Sequence, residues 1–172
     1  FISNPVFSIE TTDVTYFIIK DSAAPFQLTK INKTKKGIVT DILERSISKK
    51  VNLKSRILPF NRMIKEMKSA SANHWVNYGA KSWSGPQSIS LSSSSIMNIK
   101  HKFLTLENFN YKNINSLFGK RIILIQGFQY PGLDKYLKSG KIKALRVPNH
   151  ESAIRAIKLK RGVAFPEMEV RI

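Results

Sequence analysis

Short apolar segments that favour β-strands alternate along this chain with amphipathic segments that favour helices, and this order predicts an α/β fold. Residues 119–141, GKRIILIQGFQYPGLDKYLKSGK, show the unit most clearly. The unbroken apolar run over 122–125 predicts a strand that is covered on both faces, as in a parallel sheet. Leu133, Tyr136 and Leu137 then share one face of a helix. The segment therefore predicts half of a β-α-β unit.

The same alternation extends over most of the sequence. It predicts strands at 14–19, 55–58, 74–80, 101–106, 144–147 and 162–165. It predicts helices after Gly37, from Pro59, and over 150–159 with Asn149 as the N-cap. A Ser-rich and Gly-rich stretch over 82–95 is a predicted loop, and 108–116 is a polar connector. We therefore expect two β/α lobes with a boundary near 100–115, the first over 9–107 and a partial second over 108–172.

The turn after the 122–125 strand contains Gly127, Phe128, Gln129 and Tyr130. Turns at the carboxyl ends of parallel strands are where open α/β sheets bind ligands. One glycine and two aromatic residues do not match the spacing of a dinucleotide-binding or phosphate-binding loop. The turn is thus a candidate ligand contact of another kind, with a turn that holds no ligand as the alternative.

The chain of 172 residues is strongly basic, with 29 Lys and Arg against 11 Asp and Glu, a net charge of +18 and a pI near 10.3. Such an excess fits nucleic acid, an anionic lipid surface or an acidic ligand. The basic residues are dispersed in short groups, which favours a solvated surface over a dedicated nucleic-acid site. No apolar run approaches the length of a membrane span.

The first eight residues, FISNPVFS, end with small residues at Val6 and Ser8 and are followed by a polar run. This pattern predicts the tail of an export signal over 1–8, with an irregular N-terminal arm as the alternative. Cysteine is absent, so neither disulfides nor thiolate chemistry is available.

Catalytic and metal-binding patterns are weak. The three histidines are far apart in sequence, and neither a zinc motif nor a nucleophile elbow occurs. The serines at 92–95 are more simply a polar loop than a nucleophile. We therefore expect no catalytic residue, no metal site and no cofactor.

The order of parts resembles the family 3 extracellular solute-binding proteins, the periplasmic amino-acid-binding type. The resemblance covers residues 14–168 and is carried by Phe26 after Asp21 and Pro25, GIVTDIL at 37–43, PFNR at 59–62 and SLFGKRI at 116–122. It implies a two-lobed, type II periplasmic-binding-protein-like α/β fold that closes over a small solute. It also implies that the C-terminal return to the first lobe is missing, so that the chain is truncated.

The resemblance, together with the aromatic residues in the matched stretches, gives a set of expected ligand contacts. They are Asp21, Phe26, Trp75, Tyr78, Trp83, Gln87, Phe128, Gln129, Tyr130 and Glu167. Gln87 stands near the place where the family has an arginine that clamps an α-carboxylate, and a neutral amide cannot supply that charge. Glu167 lies about one position from the family's acid for an amino group. We expect the turn at 127–130 to face the cleft, and core packing is the alternative for each aromatic residue.

Three functions follow. The first is a periplasmic receptor for a small polar solute, an amino acid or a related compound, that serves an ABC-transporter permease or a sensory system as a monomer. Aromatic faces and amides at the expected contacts also suit sugars, rings or cations. The second is an enzyme on the same scaffold, dehydratase-like or an accessory domain of a cell-wall lytic enzyme. The third is a basic nucleic-acid-binding protein. We favour the receptor, without enzymatic activity and without nucleic acid as a partner.

Overall fold

The structure is a computed structural model. It describes residues 11–29, 36–47, 51–69, 74–89, 91, 94–106 and 109–171. These residues divide into two compact units between Tyr78 and Gly79, and each unit has its own sheet and core. The predicted export signal at 1–8 lies outside the described residues. No helix in the described part of the chain is long and apolar enough to cross a membrane.

Unit 1 is a three-stranded parallel sheet with two main helices. In chain order its elements are β1 Thr12–Ile19, α1 Ile38–Ser46, β2 Val51–Leu58, α2 Phe60–Met67 and β3 Trp75–Val76. The strand order is β2-β1-β3, so β1 is central and pairs in parallel with both neighbours.

Both faces of β1 are covered, which explains its nearly continuous apolar sequence. On one face, Phe17 and Ile19 pack in a core cluster with Met63 and Met67 of α2. On the other face, the hydroxyl of Tyr16 lies 2.8 Å from Thr40 Oγ1 of α1. Because side chains alternate along a strand, the two helices lie on opposite faces of the sheet.

Unit 2 is a four-stranded mixed sheet. Its elements are α3 Pro86–Ile89, β4 His101–Thr105, a 3₁₀ helix at Ile114–Leu117, β5 Arg121–Ile125, α4 Asp134–Lys138, β6 Lys143–Val147, α5 His150–Lys158, β7 Ala164–Met168 and a second 3₁₀ helix at Glu169–Arg171. The strand order is β4-β7-β5-β6. Strand β5 is parallel to β6 and β7, whereas β4 is antiparallel to β7.

Strand β5 is buried on both faces, as its unbroken apolar sequence predicts. Ile122 and Leu124 belong to one core cluster, and Ile123 and Ile125 belong to another, which α5 covers. Each of these four side chains is at most 1% exposed. The sheet is therefore sandwiched between two apolar layers, and its ends are left for polar contacts.

The structure differs from the sequence predictions in four elements. The strand predicted at 55–58 begins four residues earlier, at Val51. The predicted strand at 74–80 is only Trp75–Val76, and the predicted loop at 82–95 contains the short helix α3. Strand β7 continues through Pro166 to Met168, because Pro166 is paired with Phe103 of the antiparallel strand β4.

The division between units also differs from the predicted boundary near 100–115. Strand β4 joins the sheet of unit 2 through its pairing with β7, and residues 79–91 belong to the same unit. The described residues between 79 and 106, which the sequence assigned to the first lobe, are thus grouped with unit 2 by their contacts.

Candidate functional site

The carboxyl ends of three parallel strands meet at one edge of the unit 2 sheet, which we call the carboxyl edge. The turn at 126–133 follows β5, helix α5 begins three residues beyond the last residue of β6, and Glu167 lies near the end of β7. In open α/β sheets this edge binds ligands, because loops and helix N-termini converge there. It is the candidate site of unit 2.

The turn after β5 is tightly held. Gly127 has φ +84°, in the left-handed region that favours glycine. The side-chain amide of Gln129 joins this turn to Ser84: its Oε1 accepts from the Ser84 amide at 2.6 Å and from the Ser84 hydroxyl at 3.0 Å, and its Nε2 donates to the Ser84 carbonyl at 3.0 Å. The half-buried ring of Phe128 packs against both core clusters of unit 2. The turn therefore presents a fixed backbone rather than an open loop.

Tyr130 points into the core. Its ring is 8% exposed, and its hydroxyl accepts a hydrogen bond from the backbone N–H of Ile125 at 2.7 Å. Burial raises the pKa of the Tyr130 hydroxyl to about 12. The structure thus gives Tyr130 the packing role that the sequence analysis stated as the alternative for each aromatic residue, and ligand contact remains a prediction.

Glu167, His150 and Arg171 form an ionic cluster at the carboxyl edge, which we call the Glu167 cluster. Glu167 Oε2 lies 2.6 Å from His150 Nε2, while Oε1 accepts from Arg171 Nη1 at 3.3 Å and from the Met168 amide at 2.7 Å. Glu167 is 5% exposed. Burial opposes its ionisation, but the hydrogen bonds from His150 and Met168 and the charge of Arg171 outweigh burial and lower the pKa of Glu167. The carboxylate is therefore ionised and paired at neutral pH.

The cluster adjoins the predicted aromatic turn. Asn149 caps α5 by accepting the Ser152 amide at 2.9 Å, and this cap fixes the start of the helix at His150. The His150 ring meets Phe128 edge-on, with ring centroids 6.0 Å apart, and Phe165 at 6.2 Å. Phe128 and Glu167, which were predicted separately, are thus linked through His150.

Sequence reasoning missed His150 and Arg171. Two signals were available: Arg171 stands four residues after Glu167, and His150 follows an N-cap at the end of a predicted strand. An acid in a buried strand also needs a cationic partner. The sequence alone could not say which of the many basic residues supplies it.

The remaining expected contacts of unit 2 lie in a compact loop before β4. Gln87 is 3% exposed on α3, and its backbone carbonyl accepts a hydrogen bond from the backbone N–H of Ala80 at 3.1 Å. A Cβ added to Gly79 would lie 1.8 Å from that same carbonyl oxygen, so only glycine fits at this position. Trp83 is half-buried, and its amide donates to the Ala80 carbonyl at 3.0 Å. The backbone of this loop thus fixes the positions of Trp83 and Gln87.

In unit 1, three expected contacts are aromatic packing residues. Phe26 is 4% exposed and its ring lies 5.5 Å from that of Tyr78, while Trp75 and Tyr78 pack against the unit 1 core cluster. Asp21 is exposed, has φ +57°, and accepts a hydrogen bond from the Thr29 hydroxyl at 3.1 Å. The structure brings Phe26 and Tyr78 together, and Trp75 packs against the same core cluster as Tyr78. Ligand contact remains a prediction for Asp21, Phe26, Trp75 and Tyr78.

Within the described residues, no group of three or more His, Asp or Glu side chains is arranged to hold a metal ion.

No protein-family model and no curated protein sequence matches the chain. Solved structures do match it. Holo ArgBP from T. maritima is 16% identical with a TM-score of 0.64, over 91% of this chain and 69% of that chain. A structure from work on glutathione import through GshT and the cystine ABC importer TcyBC of Streptococcus mutans is 14% identical with a TM-score of 0.70, over 94% and 69%. The periplasmic VFT2 domain of Bordetella pertussis BvgS is 12% identical with a TM-score of 0.59, over 94% and 67%.

These similarities extend over nearly all of the chain and about two thirds of each solved chain. Identities of 12 to 16% carry information about the backbone rather than about ligands or chemistry. The chain therefore has the type II periplasmic-binding-protein-like α/β fold that the sequence resemblance implied.

Proposed function

We propose that this protein is a solute-binding protein that captures a small polar ligand. The observation that carries the proposal is the fold: structures similar to this chain include a solute receptor for L-cysteine of Neisseria gonorrhoeae and an arginine transport periplasmic binding protein of Legionella pneumophila. The candidate site supports it, because the carboxyl edge combines fixed backbone, an aromatic ring and polar side chains, the usual composition of a small-molecule site. Phe128 of the turn and Trp83 of the preceding loop are the side chains that we propose for ligand contact in unit 2.

We propose binding rather than catalysis. A general acid at neutral pH needs a raised pKa, whereas the pKa of Glu167, the buried acid at the carboxyl edge, is lowered by its partners. An ionised, doubly paired carboxylate is suited to holding structure together. The enzyme reading on the same scaffold is therefore the second candidate.

The proposed receptor is exported to the periplasm and acts as a monomer. Its two candidate uses are delivery of the solute to an ABC-transporter permease and presentation of the solute to a sensory system. The similar structures include one from a study of an ABC importer, so the first use has a precedent on this fold.

A thermal-shift screen tests the proposed function. A metabolite that binds only the folded state stabilises it by RT ln(1 + [L]/Kd), about 2.7 kcal/mol at a hundredfold excess over Kd. We expect at least one small polar metabolite in a broad library to raise the melting temperature of the protein. If none does, and the protein is folded throughout, the receptor proposal is wrong.

A pair of variants then tests the candidate site. Phe128→Ala is expected to weaken the ligand that the screen finds by roughly 1 kcal/mol, since an aromatic contact is lost. Tyr111→Ala is the matched control, because Tyr111 is 39% exposed in the same unit and is not a proposed contact. The readout is the stabilisation that ligand adds to each variant, so an intrinsic loss of stability does not affect the comparison. Equal losses in both variants would place the ligand elsewhere.

A further inference from the structure

The charge balance of the carboxyl edge restricts which solute can bind there. We infer that the solute group meeting the carboxyl edge of unit 2 is uncharged or anionic, so that the ligand is a polar compound such as a hydroxy acid rather than an α-amino acid held through its ammonium group. This inference rests on the proposed function and narrows it. Two features of the described residues support it.

The first feature is that Glu167 is already occupied on both oxygens. Oε2 faces His150 Nε2 at 2.6 Å, and Oε1 receives the Met168 amide at 2.7 Å and Arg171 Nη1 at 3.3 Å. With Glu167 only 5% exposed, an ammonium group could reach the carboxylate only by displacing a partner. Displacement would leave a buried charge uncompensated, which is strongly unfavourable.

The second feature is the sign of the local charge. Arg171 is permanently protonated and balances Glu167, so the pair contributes no net charge. Helix α5 is nine residues long and begins at this edge, which places the positive end of its dipole there. Glu151 in the first turn of α5 is solvent-exposed, and its carboxylate is paired with Arg155, whose Nη2 lies 3.5 Å from Glu151 Oε1. The edge is therefore neutral to positive, which disfavours a cation and tolerates a carboxylate.

Matched ligand pairs test the inference. Each L-α-amino acid is compared with the α-hydroxy acid that has the same side chain, L-alanine with L-lactate for example, by thermal shift and then by titration calorimetry on the whole protein. We expect the hydroxy member of the binding pair to be favoured by about tenfold or more in Kd. An amino acid that binds as tightly as its hydroxy analogue, or more tightly, overturns the inference and leaves the receptor proposal standing. If the broad screen described above also finds no ligand, both proposals fail.

A variant pair tests the role of the Glu167 cluster itself. His150→Ala removes the partner of Glu167 Oε2, so the preference for the hydroxy member is expected to shrink severalfold. Glu151→Gln is the matched control, because Glu151 lies next to His150 on α5 but is solvent-exposed. The ratio of the two Kd values is insensitive to a general loss of stability. An unchanged ratio in His150→Ala, or an equal change in Glu151→Gln, contradicts the assignment.

Discussion

The hydroxyl of Tyr130 completes the hydrogen bonding at the end of β5. It accepts the Ile125 amide at 2.7 Å inside the core, with Tyr130 8% exposed. Tyr130→Phe keeps the ring but leaves a buried N–H without its acceptor, a loss of about 1–3 kcal/mol in the free energy of unfolding. Urea denaturation measures the change. Tyr111→Phe, at a 39% exposed position, is expected to stay within about 0.5 kcal/mol of the parent protein. Equal effects in the two variants would mean that Tyr130 has no special role in the core.

Glu167 is expected to make stability depend on acidity. Despite burial, the His150 hydrogen bond, the Met168 amide and the Arg171 charge lower its pKa below the ordinary 4.5. The folded state therefore holds the proton less tightly than the unfolded state, so this contribution is complete above pH 4.5 and is lost as pH falls through the folded pKa. Glu167→Gln should be less stable than the parent at neutral pH, and the gap should narrow in acid. Unfolding curves of both proteins, from neutral pH to below pH 4.5, measure the difference in their free energies of unfolding. A difference that grows as pH falls would contradict the pairing of Glu167.

At the scale of single residues, the sequence predicts which residues lie near the candidate site better than it predicts where their side chains point. It indicates that Phe128, Tyr130 and Glu167 lie near a ligand-binding edge, and the structure places Phe128 and Glu167 beside the same histidine. The direction of Tyr130 depends on the path of the turn, which is set by the left-handed Gly127 and by the Leu133 amide bonding to the Tyr130 carbonyl at 3.0 Å. That path is a tertiary property, and composition does not reveal it.

Among the elements, helix α5 shows how a local signal positions the candidate site. Asn149 was predicted as its N-cap, and its side chain accepts the Ser152 amide at 2.9 Å. Asn149→Ala is expected to cost about 1 kcal/mol in the free energy of unfolding, because a helix N-terminal amide loses its acceptor. Asn149→Asp, which keeps an acceptor and adds a favourable charge at the helix N-terminus, should restore the stability. Denaturation midpoints of the two variants measure these changes. An equal loss of stability in Asn149→Asp and Asn149→Ala would exclude capping as the cause.

The boundaries of some elements are set by the local sequence, and those of others are set by pairing partners that are distant in sequence. The bounds of β1 and β5 were predicted within about two residues. Their unbroken apolar runs are the local signal of a strand that is buried on both faces. Strand β7 extends beyond Pro166 because β4 pairs with it, and β3 is short because only Thr15 and Tyr16 of β1 pair with it. Pairing partners far along the chain therefore decide where these strands begin and end.

Over the whole molecule, the order of strands and helices predicted the α/β class, and the resemblance implied the type II fold. The grouping of residues by contacts differs from the predicted lobes. The sequence placed the boundary at a polar connector near 100–115, as composition favours. Contacts divide the chain between Tyr78 and Gly79, and the antiparallel pairing of β4 with β7 puts β4 in the second unit. Long-range pairing is thus the information that a single sequence lacks.

The net charge of +18 gives a last prediction at the scale of the whole molecule. Exposed basic side chains occur in both units, Lys54 and Lys65 in the first and Lys120, Lys138 and Lys158 in the second. Such a distribution attracts any polyanion through counterion release, without selecting a sequence. We expect duplex and single-stranded nucleic acids to bind with Kd values of about 10⁻⁴–10⁻⁶ M at physiological salt, to weaken steeply as salt rises, and to show no sequence preference. Fluorescence anisotropy with several unrelated duplexes measures all three properties. Nanomolar affinity at physiological salt, or a clear preference for one sequence, would favour the nucleic-acid-binding reading over the solute receptor.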